Sequence, residues 1–255
     1  MFNDILINAI SWARAAGAVQ LRYFRNPELV IDTKFNVNDV VTQADKESEK
    51  LLLSFIGDTY PEHSILSEDS GSMGDDNRDY RWIIDPLDGT ANFSSGLPMF
   101  CVSIALEYRG EIILGVVHAP YLNETFHAVK GEGAYLNGEP IHCRQTESMS
   151  KAILSTGFPV DRNVNPDNNL ANVERVLPLV RGLRRLGSAA IDMSYVGAGF
   201  LDGYWEMDLH YWDVAAGRLI AEEAGAVCRN FRDNRNYSVM VATPAIEQEL
   251  FQNLV

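Results

Sequence analysis

The sequence predicts a mixed α/β protein, with an antiparallel meander in its first half and alternating strands and helices in its second. Three observations carry this reading. Apolar residues recur at helical spacing over residues 4–24, including Ile5, Ala9, Ile10, Ala13 and Leu21. After WIIDPLDGTANF, residues 82–93, short β-rich runs follow one another across tight turns. Beyond residue 150, strand-like runs alternate with helix-like ones.

Pro27 closes the first helix, and a short strand is expected at residues 30–33. Thr42 or Asp45 starts a second helix that runs through LLLSFI and stops near Gly57 and Pro61. SILSED and YRWIIDP then read as two strands separated by GSMGDDNRD, expected to be a polar loop. The meander comprises MFCVSIALEY, a turn at Arg109-Gly110, EIILGVVHAP, ETFHAVK, and a Gly131/Gly133 turn into AYLNG. The second half reads as strand AILST, a helix over residues 169–180, strand LRRLG, a helix from Ser188, strand YWEMDL, a helix from Asp213, and strands near Val227 and at residues 239–241. No repeat or Pro/Ser-rich linker divides the chain, so two lobes sharing an interface are expected, 1–145 and 146–255.

With 255 residues, 46% of them hydrophobic, the chain can bury a large core. Its net charge of −14, from 35 acidic and 21 basic residues, argues against nucleic acid or an anionic membrane as a partner. An anionic substrate would need positive charge from elsewhere. Cys101, Cys143 and Cys228 are far apart and form no C-x-x-C, which suits buried thiols in a reducing compartment. The N-terminus lacks a basic n-region, and no run approaches the roughly 20 apolar residues that span a bilayer, so a cytoplasmic location is expected.

Candidate chemistry centres on carboxylates. Pro86 and Leu87 separate Asp85 from Asp88, and a proline there is expected to turn the backbone and aim both acids at one point. The Leu87 carbonyl is a third oxygen, and clustered carboxylate and carbonyl oxygens suit a hard cation such as Mg²⁺. The same residues serve equally as a polar turn after a strand. Glu68 ends its strand as Asp85 does, while Asp45 and Asp213 fall in the first turns of helices, where an acid can cap backbone N–H groups as well as bind metal.

These stretches resemble the inositol monophosphatase family of Mg²⁺-dependent, lithium-sensitive sugar-phosphate phosphatases. VTQADKESE is similar to its VT-x-x-D-x-x-x-E element, SILSED to its glutamate-bearing strand, WIIDPLDGTANF to its D-P-[IL]-D-G-T motif and WDVAAGRLIAEEAGAV to its W-D-x-A-A-G signature. RRLGSAAIDMSYVGAGFLDGYWEM carries the G-S/T-A-A and aromatic-aromatic-E pieces in the expected order. The resemblance implies a layered αβαβα sandwich, as in inositol monophosphatase and fructose-1,6-bisphosphatase, that forms a homodimer. It also implies that Glu68, Asp85, the Leu87 carbonyl, Asp88 and Asp213 hold two or three Mg²⁺ ions. Thr90, paired with Glu68 or Asp45, would activate the attacking water. Asp88, Gly89, Thr90, Ala189 and Glu206 would contact the substrate. Lys34 has the reach for the phosphate or a metal-bound water and serves equally as a surface lysine.

The implied substrate is inositol 1-phosphate or a similar polyol monophosphate, favoured because T-A-N-F resembles the T-x-N-F of the inositol-phosphatase branch. Relatives acting on 3′-phosphoadenosine 5′-phosphate, fructose 1,6-bisphosphate, NADP or histidinol phosphate share the metal motifs. Asp208 departs from the small residue common there and is expected to alter pocket charge. A regulatory or RNA-polymerase-binding role is the alternative outside catalysis. GAGFLDG has the wrong spacing for a dinucleotide loop, and the five histidines form no H-x-x-x-H, so no organic cofactor or histidine-metal site is expected.

Overall fold

The computed structural model describes residues 2–33, 40–75 and 78–255; Lys34 lies outside them. In chain order the elements are α1 (Phe2–Tyr23), β1 (Ile31–Thr33), β2 (Val40–Thr42), α2 (Gln43–Thr59), β3 (Ser64–Ser67), β4 (Gly71–Met73), β5 (Tyr80–Asp88), α3 (Thr90–Ser94), β6 (Cys101–Tyr108), β7 (Glu111–Ala119), β8 (Glu124–Val129), β9 (Ala134–Leu136) and β10 (Glu139–Ile141). There follow β11 (Ile153–Thr156), α4 (Leu170–Val176), β12 (Gly182–Arg184), α5 (Ala189–Gly197), β13 (Gly203–Leu209), α6 (Tyr211–Glu223), β14 (Val227–Arg232), β15 (Tyr237–Ala242) and α7 (Pro244–Asn253).

Five layers result, the αβαβα sandwich. Among the described residues, one sheet has eight strands in the order β10-β9-β8-β7-β6-β5-β3-β4, and the other has five in the order β12-β11-β13-β15-β14. Alternation along the strands decides what each face meets. Trp82 and Ile84 on β5 pack with Ile5, Ala9, Trp12, Leu52 and Ile56 of α1 and α2. Ile83, between them, points the other way, into a cluster with Ala190 and Ile191 of α5 and Ala215, Leu219 and Ile220 of α6. The opposite sides of α5 and α6 bury Met193, Val196 and Val214 against Tyr204, Val239 and Val241 of the second sheet. Trp205 and Met240 face outward to Val176 of α4 and Ile246 and Leu250 of α7. A helix held between two sheets has little polar surface to present, which is why α5 reads AAIDMSYVG, buried at every position except Tyr195. Gly115 on β7 is required by this contact, since a Cβ there would sit 2.8 Å from the Ala216 carbonyl of α6.

Several local expectations are corrected. GSM, within the expected polar loop, forms the edge strand β4, antiparallel to β3. The backbone does not leave the sheet at Pro86. β5 continues to Asp88 and takes up the proline in a bulge: Asp85 pairs with Ser103 and Asp88 with Cys101, three residues of advance against two. A bulge releases the ladder hydrogen bond that proline cannot donate. AYLNG does not end the meander, because Asn137 (φ 52°) and Gly138 (φ 87°) form a tight turn into β10. The helix bearing Asp213 begins at Tyr211, and α7 adds a C-terminal helix. No helix among the described residues is long and apolar enough to cross a membrane.

Candidate metal and phosphate site

β3 and β5 run parallel, and the Glu68 N–H extends that pairing by donating to the Ile84 carbonyl (3.3 Å). The two strands therefore place Glu68, just past the end of β3, and Asp85, just before the β5 bulge, side by side. Asp85 shares the face of Ile83, toward α6, and is buried. Its Oδ1 accepts the Leu87 N–H (3.0 Å), which holds the bulge. Gln20 Nε2 donates to the Pro86 carbonyl (2.8 Å) from α1 and fixes the other side. Gly89 follows at φ 92°, and a Cβ there would lie 2.7 Å from the Met99 carbonyl, so only glycine makes this corner.

Asp88, half-buried, is tied to the start of α5. Its Oδ2 accepts Ser188 Oγ (2.6 Å) and the Ala190 N–H (2.8 Å). Asp213 is the third residue of α6, and its Oδ2 accepts the His210 N–H (2.7 Å). In both, one oxygen is spent on orientation. Asp45 is used the same way: its Oδ2 accepts the Thr42 N–H (2.8 Å) in a capping box at the start of α2. Its Oδ1 accepts Thr90 Oγ1 (3.1 Å). The Thr90 hydroxyl also lies 3.0 Å from the Leu87 carbonyl.

The electrostatics are unusual for a folded interior. Burial raises the Asp85 carboxyl well above its ordinary range, and the charges of Glu68, Asp88 and Asp213 raise it further. Asp213 is raised by burial and then by Asp88 and Glu68, with the His210 N–H opposing. Asp88 is raised by burial against the pull of Ser188 and Ala190. Asp45 is pushed up to about 6, chiefly by burial, with Thr42 opposing and Glu68 and Asp69 adding. No three of these acids already stand closed around a point among the described residues, yet Glu68, Asp88 and Asp213 are near enough to raise Asp85. An all-oxygen set of mutually repelling carboxylates fits Mg²⁺, which would reverse the sign of the local field.

The residues expected to face an alcohol are Ala189 and Glu206. Ala189 is buried at the first position of α5, next to the Ala190 N–H that binds Asp88. Glu206 on β13 accepts the Tyr204 hydroxyl (2.6 Å). Burial pushes Glu206 up to about 7, with Tyr204, Arg185 and the Phe158 N–H favouring its charged form. Gly157 makes room for it, since a Cβ there would sit 2.0 Å from the Glu206 carboxyl carbon.

Asn92 is buried, and its amide donates to the carbonyls of Met99 and Leu186 (both 2.7 Å), tying three segments behind the site. Phe93 is packed with Ala44, Leu87 and Phe100. Asp208 does not add free charge, because Arg235 pairs with it. Sequence reasoning also missed Asp192, a buried α5 carboxyl whose Oδ1 lacks a partner and which feels the charges of Glu206 and Asp88. Its position in a helix's first turn gave only a capping signal. Ser188 was legible as the helix start but not as a donor to Asp88.

A model of the inositol monophosphatase family matches residues 3–254. The chain is 38% identical over 256 residues to a protein of Pasteurella multocida called Nus factor SuhB, covering 99% of this chain and 96% of that one. A solved inositol monophosphatase from Anabaena superposes with a TM-score of 0.88 at 38% identity, covering 99% of this chain and 95% of that one. The extragenic suppressor protein suhB from Bartonella henselae gives 0.91 at 32% identity, covering 98% of each. Matched along nearly its whole length in both sequence and fold, this chain belongs to the inositol monophosphatase family.

Proposed function

We propose that this protein is a Mg²⁺-dependent phosphomonoesterase that hydrolyses inositol 1-phosphate or a similar polyol monophosphate to the alcohol and inorganic phosphate. The observation that carries the reading is the group of Asp85, Asp88 and Asp213, whose carboxyls are all raised by burial and by the charge of Glu68 beside them. With the Leu87 carbonyl these residues would hold two or three ions. Bound Mg²⁺ supplies Lewis acidity, neutralising phosphate charge and easing deprotonation of water. That supply of positive charge reconciles an anionic substrate with a chain of net charge −14.

The chain's own groups do the rest. Thr90 Oγ1 holds the attacking water and passes a proton toward Asp45 Oδ1, whose affinity near pH 6 suits a base at neutral pH. Glu68 is the second acid at that water. The backbone N–H groups of Gly89 and Thr90 bind phosphate oxygens at the left-handed corner. Asp88, Ala189 and Glu206 orient the leaving alcohol. The test is phosphate release from inositol 1-phosphate and the other esters of the family, with Mg²⁺ and with a chelator. Metal-dependent release from a polyol monophosphate is expected; none from any monophosphate would overturn the reading.

A second reading rests on the SuhB relatives, whose name is that of a Nus factor. It gives the chain a regulatory, RNA-polymerase-binding role beside catalysis. Retention of RNA polymerase by an Asp88→Asn variant would support it, and no retention by the wild-type protein would remove it.

A further inference from the structure

Residues 158–168, which join β11 to α4, begin at the wall of Glu206 and are held at three places. At their far end, Asn169 Nδ2 donates to the Gly157 carbonyl (2.6 Å), while its Oδ1 accepts Trp205 Nε1 from β13 (2.8 Å). In the middle, Arg235, from the connection between β14 and β15, donates to both oxygens of Asp161 (2.9 and 3.0 Å) and to the Asp167 carbonyl (2.7 Å). Arg232 adds a bond to the Asp167 carboxylate (2.7 Å). The same Arg235 guanidinium pairs with Asp208. Arg235 is only 13% exposed and Asp208 23%, so this network is screened far less than a surface pair.

Asp208 sits at φ 63°, in the left-handed region that Gly enters freely and that Asn and Asp enter more readily than other side chains. It lies two residues beyond Glu206, where β13 and β15 shift register between Glu206 and Leu209. One guanidinium thus joins the strand that carries Glu206 to the loop whose first residues, Gly157 and Phe158, bear on Glu206.

We propose that Asp208 and Arg235 are positioning residues that hold loop 158–168 against the alcohol side of the site, and through it set which alcohols the site accepts. The proposal rests on the phosphatase reading above. A released loop spends part of its time away from Glu206, and affinity for a polyol falls by the fraction lost. Phosphate binding, on the other side of Asp88, is untouched.

Asp208→Gly tests this cleanly, because glycine adopts φ 63° without strain and the variant is not at risk of failing to fold. The Mg²⁺-loaded protein is assayed on inositol 1-phosphate and on phenyl phosphate, which has no polyol hydroxyls, and hydrogen exchange is followed over residues 158–168. KM for inositol 1-phosphate should rise about tenfold if the held position falls to a tenth. The kcat, and KM for phenyl phosphate, should stay put, exchange in the loop should accelerate, and Asp208→Asn should recover most of the loss. An equal rise for both esters, or an unchanged polyol KM with a faster-exchanging loop, would overturn the clamp. A wild-type protein inert on every monophosphate would instead overturn the phosphatase reading.

Discussion

Two acid-rich clusters flank Glu206 and are treated in opposite ways. Asp161, Asp167 and Asp208 each meet an arginine, and hydrogen bonds from Asn165 and Arg235 hold the Asp161 carboxyl below its usual range. Asp85, Asp88 and Asp213 meet one another, and all are held above theirs. Burial is the larger part of the contrast, since Asp161 and Asp167 keep more than a third of their side-chain surface exposed, and the countercharge of Arg232 and Arg235 adds to it. The chain supplies its own cation where charge fixes a loop. Among the described residues it pairs none with Asp85, Asp88 or Asp213, a pattern typical of sites whose proton affinities are displaced for function.

The largest expected break in that contrast is Asp88→Asn. The asparagine carbonyl still accepts from Ser188 and Ala190, so α5 stays tied to β5 and the fold should survive. One ligand charge is lost, and kcat should fall by at least on the order of a thousandfold, as when a preorganised group facing developing charge is removed. Circular dichroism and steady-state kinetics together check both halves. Near-normal turnover would mean that Asp88 is not a ligand.

Next in size is the dependence of stability on pH in the metal-free protein. Asp45 rises from 3.8 to about 6 and Glu206 from 4.5 to about 7 on folding, so the folded state binds protons more tightly than the unfolded one. Their stabilising effect is complete below about pH 4 and is lost as pH climbs through 6 and 7. At about 1.4 kcal/mol per pKa unit, the decline for either group amounts to a few kcal/mol. Mg²⁺ should therefore raise Tm more at pH 8 than at pH 5. A metal-free Tm that climbs steadily between those values would contradict the repulsion inferred for the cluster. The arginine-paired cluster should contribute no such slope.

Much of the first cluster was legible because its acids end strands or open helices: Glu68 and Asp85 close apolar runs, and Asp45 and Asp213 sit at first-turn positions. What the sequence hid depends on distance along the chain. Arg235 lies 27 residues from Asp208 and 74 from Asp161, with no periodicity to link them. Asn92 is a case of the same kind, since its amide bridges carbonyls of Met99 and Leu186 that only the fold brings together. The bulge at Pro86 was missed for a different reason: proline excludes an ordinary ladder position, but both a turn and a bulge satisfy that exclusion. The strand pairing of Asn137-Gly138 was present in the sequence as a strong hairpin signal.

A smaller effect is expected on the boundary between the clusters. In Gly157→Ala the new Cβ would need the place of the Glu206 carboxyl, 2.0 Å away. Glu206 can swing only by leaving the Tyr204 hydroxyl, so KM for a polyol monophosphate should rise by roughly tenfold, the cost of one charged hydrogen bond. KM for phenyl phosphate should not follow. An unchanged polyol KM would remove Glu206 from the alcohol pocket.

The smallest effect should come from an ion pair that looks better than any in either cluster. Arg109 grips Asp79 with two parallel bonds, Nε to Oδ1 at 3.0 Å and Nη2 to Oδ2 at 2.9 Å. Both side chains are more than half exposed, so water and salt compete for each partner. Arg109→Ala should leave Tm and kinetics unchanged within error, at low salt as at high. A clear loss of Tm would show that geometry alone confers strength on an ion pair in this protein. The contrast between the two clusters would then have to be sought in bond angles rather than in burial and the supply of countercharge.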